Sequence, residues 1–168
     1  MSNSTVERGL AQITTLLGQV TPADLQRPTP CSEWTVADLS DHVVNSVAGM
    51  TAMASGGQPD WANAAHHDDP ATALQQEGQA LLDALDSGSS TFPEGMAAAE
   101  LAVHTYDLAV ALGRTTAELD PEIAETGLAF MSASMTDDMR GSAFGPEQPA
   151  PDDATAYERI AAFAGRTV

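Results

Sequence analysis

The chain has 168 residues, enough for one domain with a substantial hydrophobic core and too few for two comfortable ones. Apolar residues make up 43% of the chain and aromatic residues only 5%, a balance that favours closely packed helices over a β-sheet. Six arginines, no lysine and 24 acidic residues give a formal net charge of -18, which argues against binding to nucleic acid or to an anionic membrane surface.

Two further features of the sequence bear on its compartment. No apolar run reaches the roughly 18 residues of a membrane span, and the N-terminus lacks the basic-then-apolar pattern of a secretory signal. The single cysteine, Cys31, excludes an internal disulfide. We therefore expect a cytoplasmic protein whose fold is all-α, with residues 1–168 in a single domain.

The first half of the chain predicts two helices joined by a connector. Ser4 and Glu7 have the spacing of a capping box, and apolar residues at helical spacing follow them. Three prolines between residues 21 and 31 exclude a long regular helix there, so this segment is predicted to be a structured connector. The second helix is predicted to start at the N-cap Thr35 and to continue to about Ala54.

A long loop is predicted over residues 55–69, which are rich in glycine and polar residues. At up to about 3.3 Å per residue, such a loop could cross the full length of a helical bundle. The second and third helices are therefore allowed to run parallel. Asp69 and Pro70 form a typical N-cap and first position for the third helix, which is predicted to stop before Ser87.

The second half of the chain predicts three more helices. The fourth covers residues 96–113, and Asp120 with Pro121 starts the fifth. The helical tail, residues 144–168, begins with a proline-rich segment and ends in a short helix that Gly165 is placed to terminate. The predicted architecture is a four-helix bundle with two additional helices packed on it.

The fourth helix is apolar nearly all round, apart from Glu100, His104 and Asp107. At 100° per residue, these three residues fall within about 60° of one another on the helix surface. A helix of this kind is expected to be buried, and a buried glutamate must be paired, protonated or bound to a metal. The sequence therefore predicts a functional stripe on this helix.

His42, in the second helix, lies in a comparable apolar setting. Together with Glu100 and His104 it would supply three metal ligands in a bundle core and leave a coordination position open, as catalytic zinc sites do. Asp107 is predicted to be the acceptor that orients His104, although it could also be a ligand or a surface charge. Small residues one and two turns beyond His42, Ser46 and Gly49, would leave space for a substrate.

Other interpretations of these residues remain open at this stage. Glu100 and His104 could form an i, i+4 ion pair, with His42 a core histidine bonded to a backbone carbonyl. A rival metal site is the run of four ligand-type residues from His66 to Asp69, although it has no rigid support. The simpler interpretation of that run is a solvated loop with Asp69 capping the third helix.

Three further side chains, those of Cys31, Trp34 and Trp61, are of types that often serve in functional sites. Cys31 has no sequence neighbour that would lower its pKa, so we expect a buried, unreactive thiol. Trp34 and Trp61 are expected to be packing anchors, with Trp61 also placed to cover a pocket mouth.

Three segments of the chain resemble a known family. They are PTPCSEWTVADLSDHVV at residues 28–44, ELAVHTYDLAVALGR at residues 100–114, and FGPEQPAPDDATAYERIAAFAGR at residues 144–166. They occur in the right order and span most of the chain. By these segments the protein is identified as a member of the DinB-like metal-binding bundles related to mycothiol-dependent maleylpyruvate isomerase.

The resemblance implies an up-down-down-up four-helix bundle that binds a divalent metal, zinc or nickel, through His42, Glu100 and His104. It also implies mycothiol as cosubstrate and an electrophilic small molecule as substrate. We expect the protein to resemble the family's short members, without the additional C-terminal domain of the isomerases, which favours thiol transfer over isomerisation. The alternative is a bundle that binds metal or a small ligand without catalysis. The sequence leaves the oligomeric state open; bundles of this size often pair through an exposed helix face, so a homodimer is one arrangement compatible with it.

Overall fold

A computed structural model describes residues 4–31, 33–140 and 144–168. Within these residues it contains six α-helices, two short 3-10 turns and no strand beyond an isolated bridge between Pro28 and Thr35. The side chain of Ser4 lies outside the described atoms, and so does the capping box predicted there. The helices are α1 (Ser4–Leu17), α2 (Val36–Ala54), α3 (Pro70–Asp86), α4 (Glu94–Ala111), α5 (Pro121–Ser134) and α6 (Ala156–Phe163).

The predicted starts of three helices are confirmed. At the N-terminus of α2 the backbone N–H of Asp38 donates to Thr35 Oγ1, and the backbone N–H of Thr35 donates to the Asp38 carboxylate, which completes a capping box. Asp69 and Asp120 cap α3 and α5, and each is followed by a proline at the first helical position. None of the described helices is both long and apolar enough to cross a membrane.

The first four helices form a closed ring of contacts. Helix α1 packs against α3 and α4, and α2 packs against the same two helices. One cavity is lined by Leu17 at the end of α1, Ser40 near the start of α2 and Pro70 at the start of α3, so these three positions lie at one end of the bundle. Further along, the Thr51 hydroxyl of α2 donates to the carbonyl of Glu77 in α3. Helices α2 and α3 therefore run parallel, and α1 runs opposite to both.

Helix α4 runs antiparallel to α2. Trp34, just before α2, has its ring centroid 6.1 Å from that of His104, whereas Ser46, further along α2, bonds to the earlier α4 residue Glu100. The order of the bundle is therefore up-down-down-up, as the resemblance implied. The connection between the two parallel helices is the loop over residues 55–69, which contains one 3-10 turn at Trp61–Asn63.

Helix α4 is shared by two hydrophobic cores. Leu101 and Leu108 belong to the core of the four-helix bundle, whereas Val103 and Tyr106 belong to a second core formed with α5 and α6. Most of the helix is consequently buried from Ala97 onward. The prediction that a helix apolar on all sides is buried is confirmed, and the polar side chains set into it must find their partners inside the protein.

Helices α4 and α5 approach each other closely at Gly127. A Cβ atom built at Gly127 would lie 2.7 Å from the Cα atom of Ala99 and 2.8 Å from its backbone nitrogen. Backbone atoms cannot move aside as a flexible side chain can. A glycine at this position is therefore required for the two helices to pack at this distance.

We expect Gly127→Ala to lower the free energy of unfolding by about 1–3 kcal/mol, because the added methyl group forces α5 away from α4. Gly18→Ala is the matched control, since the nearest atoms to its Cβ would lie at an ordinary 3.6 Å. Denaturant titrations of both variants provide the measurement. Equal stability of the two variants would contradict the close approach of α4 and α5.

Candidate metal centre

Two neighbouring helices bring three ligand-type side chains together. His42 comes from α2, and Glu100 and His104 lie one turn apart on α4. One ligand atom from each residue lies within 4.8 Å of the other two. His42 Nε2 is 3.0 Å from Glu100 Oε1, and His104 Nε2 is 3.3 Å from the same oxygen. Within the described ranges, this is the only such group of three or more His, Cys, Asp and Glu side chains.

The Glu100 carboxylate has a third polar partner on α2. Ser46 lies one turn beyond His42, and its hydroxyl donates to Glu100 Oε1 over 2.6 Å. The same oxygen therefore faces two imidazole nitrogens and one hydroxyl. Such a set of partners offsets the cost of removing a carboxylate from water.

His104 is oriented from its other side by Asp107, one turn further along α4. His104 Nδ1 lies 3.0 Å from Asp107 Oδ2, and the Asp107 side chain is fully buried. The Asp107 carboxylate thus faces the ring nitrogen of His104 that lies opposite Glu100. Its other partner is Arg166, at the end of the chain, whose guanidinium contacts both carboxylate oxygens. No motif or spacing in the sequence marks Arg166 as a functional residue.

His42 is held in a different way. The ring of Trp34 packs against it, with the ring centroids 4.3 Å apart and the planes at 45°. The rings of His42 and His104 meet edge-on, 4.7 Å apart. Trp34 is thus a packing anchor, as expected, and the surface it packs against belongs to the histidine cluster.

The cluster is open to solvent on one side. The side chains of His42 and Glu100 are 33% and 25% exposed, whereas that of His104 is only 8% exposed. A small molecule could therefore approach from the side of His42 and Glu100. The opposite side is closed by Asp107 and the protein interior.

The charges of the cluster shift its pKa values in opposite directions. Burial alone would raise the pKa of Glu100, but the charges and hydrogen bonds of His104 and His42 outweigh it and hold the pKa well below its usual range. Burial alone would lower the pKa of His104, but the negative charge of Glu100 and the hydrogen bond to Asp107 raise it to about 9. Without a metal, the cluster is an ion-paired group.

The same atoms also fit the donor set of a zinc ion. Two ligands of a tetrahedral zinc, each about 2.0–2.2 Å from the ion, stand roughly 3.3–3.6 Å apart. The separations of Glu100 Oε1 from the two imidazole nitrogens are 3.0 and 3.3 Å. One ligand atom from each of the three residues lies within 4.8 Å of the other two, so a metal could replace the shared protons once these side chains close to coordination distance.

The rival cluster in the long loop is pinned to α2 and does not converge. His66 Nδ1 lies 2.8 Å from Asp41 Oδ2, and His67 Nε2 lies 3.3 Å from Asn45 Oδ1. Asp69 caps α3, as its simpler interpretation predicted. The histidines of this loop therefore fasten it along α2, and they do not share a point at which a metal could bind.

The space beside the centre is smaller than the small residues Ser46 and Gly49 predict from the sequence. Trp61 is 57% exposed, and its indole packs directly on Gly49, so it fills the room that the sequence analysis assigned to a substrate.

Cys31 is a free thiol of intermediate burial. Burial raises the pKa of this thiol, which agrees with the expectation of an unreactive cysteine.

Two cavities lie away from the candidate metal centre. One of about 400 Å³ lies between the connector at Arg27 and the C-terminal end of α4, and the other, of about 270 Å³, lies at the shared end of α1, α2 and α3. Neither is lined by His42, Glu100 or His104. The side of the cluster that solvent reaches is the partly exposed edge of His42 and Glu100.

Comparison with known proteins places this geometry in a family. The model of the mycothiol maleylpyruvate isomerase N-terminal domain matches residues 6–120, which include all three candidate ligands. Two uncharacterised proteins of Mycobacterium tuberculosis, from strains CDC 1551 / Oshkosh and ATCC 25618 / H37Rv, are each 36% identical over 171 residues. Each match covers 91% of this chain and 91% of the relative. No solved structure gives a significant match.

In protein kept free of metal by a chelator, we expect stability to fall as the pH rises through about 9. The raised pKa of His104 means that its contribution is fully present below the ordinary histidine value of 6.5 and is lost when the ring deprotonates in the folded state. Urea titrations over this pH range measure the effect. His104→Gln should remove it, and an unchanged alkaline loss in that variant would contradict the assignment.

Proposed function

We propose that this chain, which belongs to the mycothiol maleylpyruvate isomerase N-terminal domain family, binds a divalent metal ion through His42, Glu100 and His104 and activates a small thiol. Mycothiol is the thiol that the family name indicates. The reaction we favour is transfer of the thiol to a small electrophile. We also propose that residues 1–168 form one domain, because α4 contributes to both hydrophobic cores.

The observation that carries the proposal is the convergence of three ligand atoms from two helices within 4.8 Å. Two imidazoles and one carboxylate are a donor set that suits zinc, and nickel is also compatible with it. Three protein ligands leave a coordination position open, which is the arrangement found in catalytic zinc sites. The exposed edge of His42 and Glu100 supports an open position that faces solvent.

A bound divalent metal supplies Lewis-acid chemistry, which stabilises a thiolate at neutral pH. The protein supplies the rest. Ser46 fixes the Glu100 carboxylate through a hydrogen bond, and Asp107 accepts from His104 Nδ1 so that Nε2 faces the centre. Trp34 restricts the ring of His42 by packing on it. These contacts hold the ligands in place before any metal arrives.

The charge of the protein bears on the choice of substrate. A dication with one carboxylate and two neutral imidazoles carries a net charge near +1, which a thiolate neutralises. Beyond the centre, the net charge of -18 repels anions, so a neutral or cationic electrophile is favoured. In the transfer we propose, the S–H bond breaks and its proton passes to solvent, and the sulfur forms a bond to the electrophilic carbon. The electron pair displaced from that carbon departs with a leaving group or takes up a proton from solvent.

Replacement of a ligand tests the metal site. His104→Ala should abolish stoichiometric zinc binding while leaving the helix content largely intact, because one of three ligands is lost and the apolar faces of α4 remain. His67→Ala is the matched control, since His67 lies in the loop and bonds to Asn45. Titration against a chromophoric zinc chelator gives both affinities. Zinc retained at full stoichiometry in His104→Ala would refute the ligand assignment.

Thiol binding tests the functional part of the proposal. In cobalt-substituted protein, mycothiol should change the visible absorption spectrum, because sulfur enters the coordination of the metal. The S-methylated thioether of mycothiol is the control and should leave the spectrum unchanged. If the thiol binds and a panel of electrophiles gives no turnover, the chain is a metal-binding protein without catalysis. A spectrum that does not respond to thiol would count against the proposed mechanism.

A further inference from the structure

The C-terminal end of α6 is built as a tight reversal of the chain. Gly165 has a backbone φ of +93° and donates to the carbonyl of Ala162, and the backbone N–H of Arg166 donates to the carbonyl of Ala161. These two bonds form a Schellman motif, in which glycine occupies the left-handed position. The turn therefore fixes the direction in which the chain leaves α6 at Arg166.

A second constraint acts on the same turn. A Cβ atom built at Gly165 would lie 2.6 Å from the Cα atom of Gly145, so two glycines allow the two backbone segments to touch. In the sequence, Gly165 is predicted only to terminate the last helix. In the structure, its conformation and its close contact both serve to place the residue that follows it.

Arg166 follows this turn and lies in the protein interior, where the residue is only 7% exposed. Its Nε and Nη2 atoms donate to the two oxygens of Asp107 over 3.2 and 2.9 Å, and Nη1 donates to the carbonyl of Ala164. The guanidinium therefore makes a two-pronged contact with one carboxylate, which fixes the orientation of that carboxylate as well as its charge.

Asp107 passes this orientation to the candidate metal ligand. Asp107 Oδ2, which accepts from Arg166, also lies 3.0 Å from His104 Nδ1. A carboxylate at Nδ1 keeps a proton on that nitrogen and leaves Nε2 as the nitrogen available to a metal. Three side chains are thus connected in series from the C-terminal tail to the centre.

We propose that Arg166 is a positioning residue for the metal centre, which acts through Asp107 to fix the ring of His104. The inference rests on the proposed function in so far as His104 is a metal ligand. It makes the C-terminal tail part of the centre, although Arg166 lies outside the residues 6–120 matched by the family model.

Stability alone is a weak reason for this arrangement. Buried ion pairs often contribute little to stability, because desolvation offsets their attraction. The effect on metal binding also separates positioning from simple charge. By charge alone, removal of the Arg166 cation would strengthen the binding of a metal cation nearby. By positioning, the same change weakens metal binding, so the two explanations predict opposite signs.

The test compares zinc affinities of Arg166→Met, Arg166→Lys and the control Arg159→Met. Arg159 lies in α6, but its guanidinium contacts the Ala154 carbonyl and Glu125. We expect about 10- to 100-fold weaker zinc binding in Arg166→Met, the range typical of second partners of metal-bound histidine. Arg166→Lys keeps the charge but loses the two-pronged guanidinium contact, so its zinc affinity should lie between those of Arg166→Met and the unmodified protein. Arg159→Met should bind zinc as the unmodified protein does.

A second readout needs no metal. Nitrogen-edited NMR of the metal-free protein should show the His104 Nδ1–H proton protected from solvent exchange, and Arg166→Lys should lose this protection while keeping its helix content. Failure of the unmodified protein to bind zinc would defeat the proposed function, and the NMR result would still decide the role of Arg166. Unchanged or tighter zinc binding in both Arg166 variants, or unchanged protection of the Nδ1–H proton, would overturn the inference.

A double variant tests the order of the series. If Arg166 acts through Asp107, then Arg166→Lys combined with Asp107→Asn should bind zinc no more weakly than Asp107→Asn alone. Additive losses in the double variant would show that Arg166 acts by another route and would contradict the proposal.

Discussion

The arrangement of this protein depends on one carboxylate, that of Glu100, placed in a helix that is otherwise apolar. Its side chain is three-quarters buried, so its charge must be offset by neighbours. His42 and Ser46 on α2 and His104 on α4 provide these contacts to a single oxygen. Because two of them come from α2, the interaction also fixes how α2 and α4 are aligned. The contacts to Glu100 therefore determine both the register of α2 against α4 and the geometry of the candidate centre.

The position of α4 between two cores explains why its polar groups form a chain of contacts and not isolated pairs. The bundle core covers one side of the helix and the core with α5 and α6 covers the other, so His104 and Asp107 are buried and the side chain of Glu100 is only 25% exposed. Asp107 is fully buried and receives Arg166 from beyond α6. The second core therefore supports the candidate centre, because α6 belongs to this core and leads directly to Arg166. Arg166 is the first residue of the series Arg166, Asp107 and His104.

Much of this could be predicted from sequence, because the relevant signals are local. The caps at Thr35, Asp69 and Asp120 lie within a few residues of the helices they start, and the spacing of Glu100 and His104 places them on one face whatever the fold. The placement of Arg166 could not be predicted. Gly165 marks the end of the last helix in the sequence, but the position of Arg166 also depends on the contact of α6 with α4, which is not visible in the spacing of residues. For the same reason, the packing of Trp61 on Gly49 was missed.

The most direct test of the metal centre is the metal content of the full chain, purified without chelators or an affinity tag and measured by elemental analysis. We expect one equivalent of zinc or nickel per chain, retained through dialysis, because three converging ligands bind such ions tightly. Protein that contains no metal and takes up none when zinc is added would contradict it. The cluster of His42, Glu100 and His104 would then be an ion-paired group that serves only to align α2 with α4.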